Sequence, residues 1–402
     1  MRTRSPRWRP EGPEALEKPR ALIGEGNAAL RRGEPSVARD CFERAAALDP
    51  REYEAWLGIA LAIVALGDPA KAHAAADRAL GLAPRSFRAL LAKADICAAD
   101  GNARAASSFY TAAIRAAPPQ TTPEFQAEIR RAQAMCERYA SEYESFLRDR
   151  LAAAGFDPAH SSARFQQSLD LMMGRKRIFL QQPQQYYFPG LPQIQFYERA
   201  MFPWLDAVEA ATDDIAAELR DVLKTASAFR PYVEEDASRP RRDDDRMTNN
   251  QDWTAFYLRR DGQIVEEHAA RCPKTMRVLE HVPLCTIPGR TPSVLFSQLR
   301  AGARIPPHTG YINARLICHL PLIVPGHCGF RVGNDVRAWE KGEAWVFDDT
   351  IEHEAWNDSG ETRVILLFEI WRPELSEEER MLVSALMQAV DAQGGAKTRW
   401  TA

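Results

Sequence analysis

Two histidines 45 residues apart, His308 and His353, and an arginine ten residues past the second, Arg363, have the residue types and spacing best suited to chemistry in this chain. A third histidine, His319, lies between them. Each stands at the edge of a run rich in Val, Ile, Leu and aromatics that is broken by Gly, Pro and Asp; the runs are 316–324, 343–347 and 363–371. Such runs predict β-strands. Imidazoles carried together by separate strand ends are a common means of holding a metal ion inside a β-barrel.

The chemistry such a set could perform is specific. Non-haem Fe(II) oxygenation needs two neutral imidazoles, a weak or anionic third ligand, and open positions for a cosubstrate and O2. A 2-oxoglutarate cosubstrate would chelate the ion through its keto acid, and its far carboxylate would then need a cation deeper in the barrel. Arg363 opens a hydrophobic strand and suits that role, because a guanidinium grips a carboxylate through two parallel hydrogen bonds.

The stretch from Ile305 to Pro373 resembles the aspartyl/asparaginyl β-hydroxylase family of 2-oxoglutarate-dependent dioxygenases. The resemblance rests on a combination: His308-Thr309-Gly310, Cys318-His319-Leu320-Pro321, Trp339-Glu340-Lys341-Gly342-Glu343, Phe347-Asp348-Asp349, Glu352-His353-Glu354-Ala355-Trp356 and Trp371-Arg372-Pro373-Glu374-Leu375. Weaker similarity reaches back to about Tyr186. The resemblance implies His308 and His353 as iron ligands and Arg363, helped by Ser297, as partner of the distal 2-oxoglutarate carboxylate. It implies His319 as a second cosubstrate contact near the metal-bound end. Gly310 stands where most enzymes of this chemistry carry an Asp or Glu ligand; the family lacks that carboxylate, and water would fill the gap. Ile317 stands where the family usually has an arginine, and Arg315, on the same strand face, is the candidate to replace that contact. Asp349 or Glu352, crowded against His353, is the expected orienter of a ligand imidazole.

The implied reaction couples decarboxylation of 2-oxoglutarate, giving succinate and CO2, to hydroxylation of a C–H bond. By resemblance that bond is at the β-carbon of an Asp or Asn residue in a peptide or protein. Two alternatives stay open. One is a lipid or small-molecule acyl substrate. The other is a non-catalytic interaction protein whose oxygenase domain lost its cosubstrate with the change at Ile317.

The N-terminal part reads differently. Pro50, Pro84 and Pro118 recur every 34 residues, as do Gly33, Gly67 and Gly101, and Ala38, Ala72 and Ala106. This is the tetratricopeptide period, one helix–turn–helix per unit. Glycine ends the first helix, alanines let the two helices approach, and proline closes the unit. Three units reach the usual minimum for a continuous core. Such an array offers a concave face on which a peptide or protein substrate could dock. Apolar steps of three and four over 122–154 predict a longer capping helix, and 158–176 continues as a helix-prone link.

Taken in order, the expected organisation is a basic tail at 1–18, three tetratricopeptide repeats at 19–118, capping and linking helices at 119–180, the oxygenase domain at 181–375, and a C-terminal helix and tail at 376–402. The fold class is multidomain α + β: an all-α array followed by a double-stranded β-helix (jelly-roll, cupin-like) with flanking helices. One such helix is expected at 207–224, and the mixed-charge segment 239–246 is either a substrate-facing lid or a solvated connector. Ser376 and Glu379 form a capping box for the last helix. A net charge of -3 gives no reason to expect nucleic acid as a partner. No apolar run is long enough to span a membrane, and the basic start lacks the apolar segment of a secretory signal. Seven scattered cysteines without a CxxC pair point to free thiols and a cytoplasmic setting. His73, His160, His268, His281 and His327 lack partners at ligand spacing and read as surface or satisfied histidines.

Overall fold

The computed structural model describes residues 18–119, 122–224, 229–235 and 248–394, so most of the basic N-terminal tail, the mixed-charge segment 239–246 and the last residues of the tail lie outside it. The chain divides into two compact units, Met1–Leu169 and Asp170–Ala402.

The first unit is helical. Its helices are α1 (Pro19–Arg31), α2 (Pro35–Leu48), α3 (Tyr53–Ala65), α4 (Pro69–Leu82), α5 (Phe87–Ala99), α6 (Ala103–Ala116) and the long α7 (Pro123–Ala153). Gly33, Gly67 and Gly101 each take a positive φ just past the first helix of a pair, a conformation that favours glycine. Side chains of Asp68, Ser86, Asn102 and Thr122 accept backbone N–H groups at the starts of α4, α5, α6 and α7. Phe42 is fully buried among Leu22, Ala45, Ala55 and Ala76, and it is admitted by Gly26 and Gly58, which leave its ring the room a Cβ would take. α7 closes the array: Ile129, Ala132 and Tyr139 pack with Phe87, Leu91 and Tyr110. Helix α8 (Ala163–Met172) runs across the division between the units.

In the second unit α9 (Leu205–Ala210) and α10 (Thr212–Leu223) replace the single helix expected at 207–224. The break is local chemistry. Thr212 Oγ1 donates to the Glu209 carbonyl at 2.6 Å, and Asp213 and Asp214 sit in the first turn of α10, where a helix N-terminus favours negative charge. The strands are β1 (Arg230–Pro231), β2 (Trp253–Arg260), β3 (Gln263–Ile264), β4 (Val294–Leu299), β5 (Arg304–His308), β6 (Arg315–Ile323), β7 (Cys328–Val332), β8 (Asp335–Ala338), β9 (Trp345–Phe347), β10 (His353–Asn357) and β11 (Arg363–Trp371). Short helices α11 (Glu266–Ala269) and α12 (Pro273–Leu279) separate β3 from β4, and α13 (Glu377–Gly394) follows β11. At its start Ser376 and Glu379 exchange the reciprocal hydrogen bonds of a capping box, at 2.8 and 3.2 Å.

The strands form two antiparallel sheets. One runs β1-β2-β4-β11-β6-β9, with β3 on β2; the other runs β5-β10-β7-β8. From β4 onward the chain crosses repeatedly between them, with the β7–β8 hairpin as the one stay in the same sheet. The larger sheet is covered on both faces. Phe256, Phe296, Cys318, Leu366 and Phe368 face α9, α10 and α12. Leu295, Ile317, Ile365 and Leu367 face Ile305, Phe330, Val332 and Ala355 of the smaller sheet. Burial on both faces is why 316–324 and 363–371 read as near-continuous apolar runs. All seven cysteines are free thiols. Among the described residues, no helix is long and apolar enough to cross a membrane.

Candidate active site

β5 and β10 pair so that His308 and His353 stand directly opposite one another, with ring centroids 4.1 Å apart and planes at 51°. The register shifts just beyond this pair, between His353 and Ala355. Each imidazole is oriented by the backbone two residues before it: His308 Nδ1 lies 2.8 Å from the Pro306 carbonyl and His353 Nδ1 lies 3.0 Å from that of Ile351. A carbonyl can only accept, so both Nδ1 atoms carry a proton, and in the neutral ring the lone pair is on Nε2. Burial pushes the His353 pKa down to about 4, which keeps that ring neutral near pH 7. Carboxylates were the expected orienters; at Nδ1 of both rings the partner is a backbone carbonyl. Glu352 pairs with Arg331, and Asp349 pairs with Arg315.

The loops that carry the two histidines are tied to each other and to the strap that precedes α9. Gly310 N–H donates to the Asp349 carbonyl at 2.7 Å. Gln182 and Gln184 N–H groups donate to the carbonyls of Thr350 and Gly310 at 2.7 and 3.0 Å. Asp348, wholly buried, accepts from Thr350, Gln181 and Arg372. Asp348 is therefore a fixture of the turn that presents His353. Burial raises its pKa, and the Arg372 guanidinium opposes that shift.

The same cavity is lined by Ser297, Arg315, Ile317, His319, Asp349 and Arg363 along with both histidines. Arg363 is 1% exposed, yet its Nε and Nη2 have no hydrogen-bond partner, and among the described residues it forms no ion pair. Burial lowers its pKa to about 10, with only the Cys328 thiol opposing, so it remains a cation near neutrality. The His319 ring is buried against Trp339 and Phe347, and its Nδ1 also lacks a partner. Burial, with Arg363 and His353 nearby, holds its pKa well below the usual histidine range. Ser297 Oγ accepts from Trp253 Nε1 at 3.1 Å. Arg315, the candidate to replace the arginine missing at Ile317, is already matched. Its Nη2 is 3.0 Å from Asp349 and its Nη1 is bonded to Glu369. Both terminal nitrogens thus meet carboxylates within the protein, while its Nε has no hydrogen-bond partner.

These residues suit the groups the sequence implied. Two imidazoles in one cavity, each held with its Nδ1 on a backbone carbonyl so that Nε2 is the atom left to bind, suit a divalent ion. Among the described residues no cluster of three or more His, Cys, Asp or Glu side chains could hold a metal, so such an ion would rest on two protein ligands. A buried guanidinium with unpartnered N–H groups suits a carboxylate, since leaving such donors unsatisfied costs free energy. Sequence reasoning missed Trp253, which holds Ser297, and Glu369, which holds Arg315. A single acid inside the nine-residue buried strand β11 was the available signal: a fully buried carboxylate demands a partner.

Residues 209–373 match the family model described as Aspartyl/Asparaginyl beta-hydroxylase, and residues 23–72 and 59–121 match the Tetratricopeptide repeat. The chain is 34% identical over 145 residues to the aspartyl/asparaginyl beta-hydroxylase of Homo sapiens, a match that covers 36% of this chain and 19% of that protein. It is 34% identical over 201 residues to the ornithine lipid ester-linked acyl 2-hydroxylase of Rhizobium tropici, covering 49% of this chain and 66% of that one. Among solved structures, the Yersinia enterocolitica type III secretion translocator chaperone SycD matches 31% of this chain and 85% of its own, at 19% identity and a TM-score of 0.29. By its sequence and its family match, the second unit of this protein carries an aspartyl/asparaginyl β-hydroxylase domain, and tetratricopeptide repeats precede it in the chain.

Proposed function

We propose that the C-terminal domain is an Fe(II)- and 2-oxoglutarate-dependent hydroxylase. The observation that carries this reading is the pairing of two backbone-oriented imidazoles with a buried guanidinium, without a carboxylate partner among the described residues, in one cavity. His308 and His353 would hold the ion through Nε2, and Arg363 would clamp the distal carboxylate of 2-oxoglutarate. His319 Nδ1 and Ser297 would complete its polar contacts. Bound iron and cosubstrate supply the oxidation of a C–H bond by O2. The chain's own share is ligand geometry, charge matching, and a wall of Ile317, Phe330, Phe347 and Leu367 that keeps water out.

The favoured substrate is an Asp or Asn residue of a peptide or protein, held in part by the tetratricopeptide array. The human relative's name and the presence of a peptide-docking fold in the same chain support it. An acyl group of a lipid is the second reading, because the Rhizobium tropici relative matches a longer stretch of this chain.

Titration of the anaerobic Fe(II) protein with 2-oxoglutarate tests the cofactor reading. A visible charge-transfer band is expected in the wild type and should be absent in His308→Ala. Failure to see it at cosubstrate on the order of millimolar would sink the proposal. Mass spectrometry of peptide and lipid pools after aerobic turnover, looking for gain of one oxygen atom, separates the two substrate classes.

A further inference from the structure

Arg363 poses a physical problem that the cosubstrate reading alone leaves open. A guanidinium taken out of water usually brings a carboxylate with it. Arg315 does so, with Asp349 and Glu369, and so does Arg372, with Asp348. Arg363 is as buried as they are and has no such partner among the described residues. What lies against it is an aromatic face: its Cζ stands 5.0 Å from the centroid of the Trp339 ring. Trp339 is itself 6% exposed. It is stacked on Trp345 at 4.6 Å and on His319 at 5.5 Å, with interplanar angles of 26° and 28°. The indole is therefore gripped between neighbours and cannot turn away from the cation without unpacking the interior.

We infer that Trp339 is a positioning residue for the cosubstrate: its π face stabilises the buried Arg363 cation without occupying any guanidinium N–H, and so keeps the fork available to an incoming carboxylate. A carboxylate at this place would stabilise the charge equally well and abolish the site, because it would consume the donors that the cosubstrate needs. The face of an indole attracts a cation electrostatically and offers no competing acceptor for the fork. The same ring also buttresses His319, so one side chain sets the geometry of both proposed polar contacts. Trp339 opens the Trp339-Glu340-Lys341-Gly342 motif, so the motif contributes to the site through this ring.

The inference rests on the 2-oxoglutarate reading, and the experiment separates the two. Binding of 2-oxoglutarate and of 2-oxovalerate, which has the same keto acid but no distal carboxylate, is measured by calorimetry on the full chain loaded with redox-inert Mn(II). The ratio of their affinities isolates the distal clamp from metal chelation and from general damage. Wild type should favour 2-oxoglutarate strongly. Arg363→Met should remove that preference; if it does not, the cosubstrate reading itself fails. Trp339→Leu should reduce the preference by about tenfold, the scale of a desolvated cation–π contact; any loss through His319 falls on both ligands and cancels in the ratio. Trp339→Phe, which retains a weaker π face, should restore part of it. If Arg363→Met abolishes the preference and Trp339→Leu leaves it intact, Trp339 is only packing and the inference is overturned. Should Trp339→Leu fail to fold, a ring-fluorinated tryptophan placed at 339 keeps the shape and drains the ring face. An unchanged ratio there would equally overturn it.

Discussion

The Asp349 carboxylate occupies the space in which a side chain at Gly310 would stand: a Cβ built there falls far inside contact distance of Asp349 Oδ2 and Cγ. The position two residues past His308 is thus glycine for a steric reason visible within this chain. Asp349 is anchored from the other side by Arg315 at 3.0 Å, so it cannot simply move aside. Gly310→Ala should destabilise the second unit by about 1–3 kcal/mol, the usual cost of overpacking. The double change Gly310→Ala with Asp349→Ala should recover part of the steric cost relative to the sum of the single changes. Urea unfolding of the set measures the coupling; strictly additive effects would show that the crowding does not matter.

Arg363→Met is expected to act in opposite directions on stability and on binding. Removing a buried cation that lacks a carboxylate should stabilise the cosubstrate-free protein by about 1–3 kcal/mol, while 2-oxoglutarate affinity falls at least about 100-fold. Thermal unfolding and calorimetry on one preparation read both. A destabilised Arg363→Met would mean that the guanidinium is satisfied in a way the structure does not display.

The buried His353 ring should leave a mark on acid stability. Its pKa falls from 6.5 to about 4 on folding, so the unfolded chain binds the proton more tightly. The stability linked to this ring is present above pH 6.5 and is lost as pH falls toward 4, a total of about 3 kcal/mol. Metal-free wild type compared with His353→Gln over that window should show a steeper acid loss in the wild type. Parallel curves would refute the assignment.

In the helical unit, Gly58→Ala should invert a familiar trend. Inside a helix alanine normally gains about 1 kcal/mol over glycine. At 58 the new methyl would strike the buried Phe42 ring, and the overpacking cost of about 1–3 kcal/mol should win. Circular dichroism melts of Gly58→Ala and of Gly81→Ala, where nothing lies near the added Cβ, should therefore move in opposite directions.

Much of this architecture was written in local pattern. The 34-residue period announced the array, because each repeat needs the same glycine turn and the same small contacts wherever it occurs. Strands β6 and β11 were legible because burial on both faces demands unbroken apolar runs. The smaller sheet was not. β5 contains Pro306 and Pro307, and exposed residues fill β8. β5 pairs with β10, more than forty residues on, and β8 is an edge strand hairpinned to β7, so neither has the apolar run that a doubly covered strand shows.

For the site, the chain alone supplied the residue types: two histidines, a third between them, and an arginine at the head of a strand. The family motifs supplied the roles proposed for them. Tertiary structure decided which charges were already matched. Arg315 and Arg363 are indistinguishable in sequence, both arginines at the start of an apolar strand, yet one meets Glu369 and Asp349 while the other faces an indole and, among the described residues, no carboxylate. That difference exists only once strands far apart in the chain lie side by side. The free energy of a buried charge depends on what surrounds it in space, and sequence order does not record those neighbours.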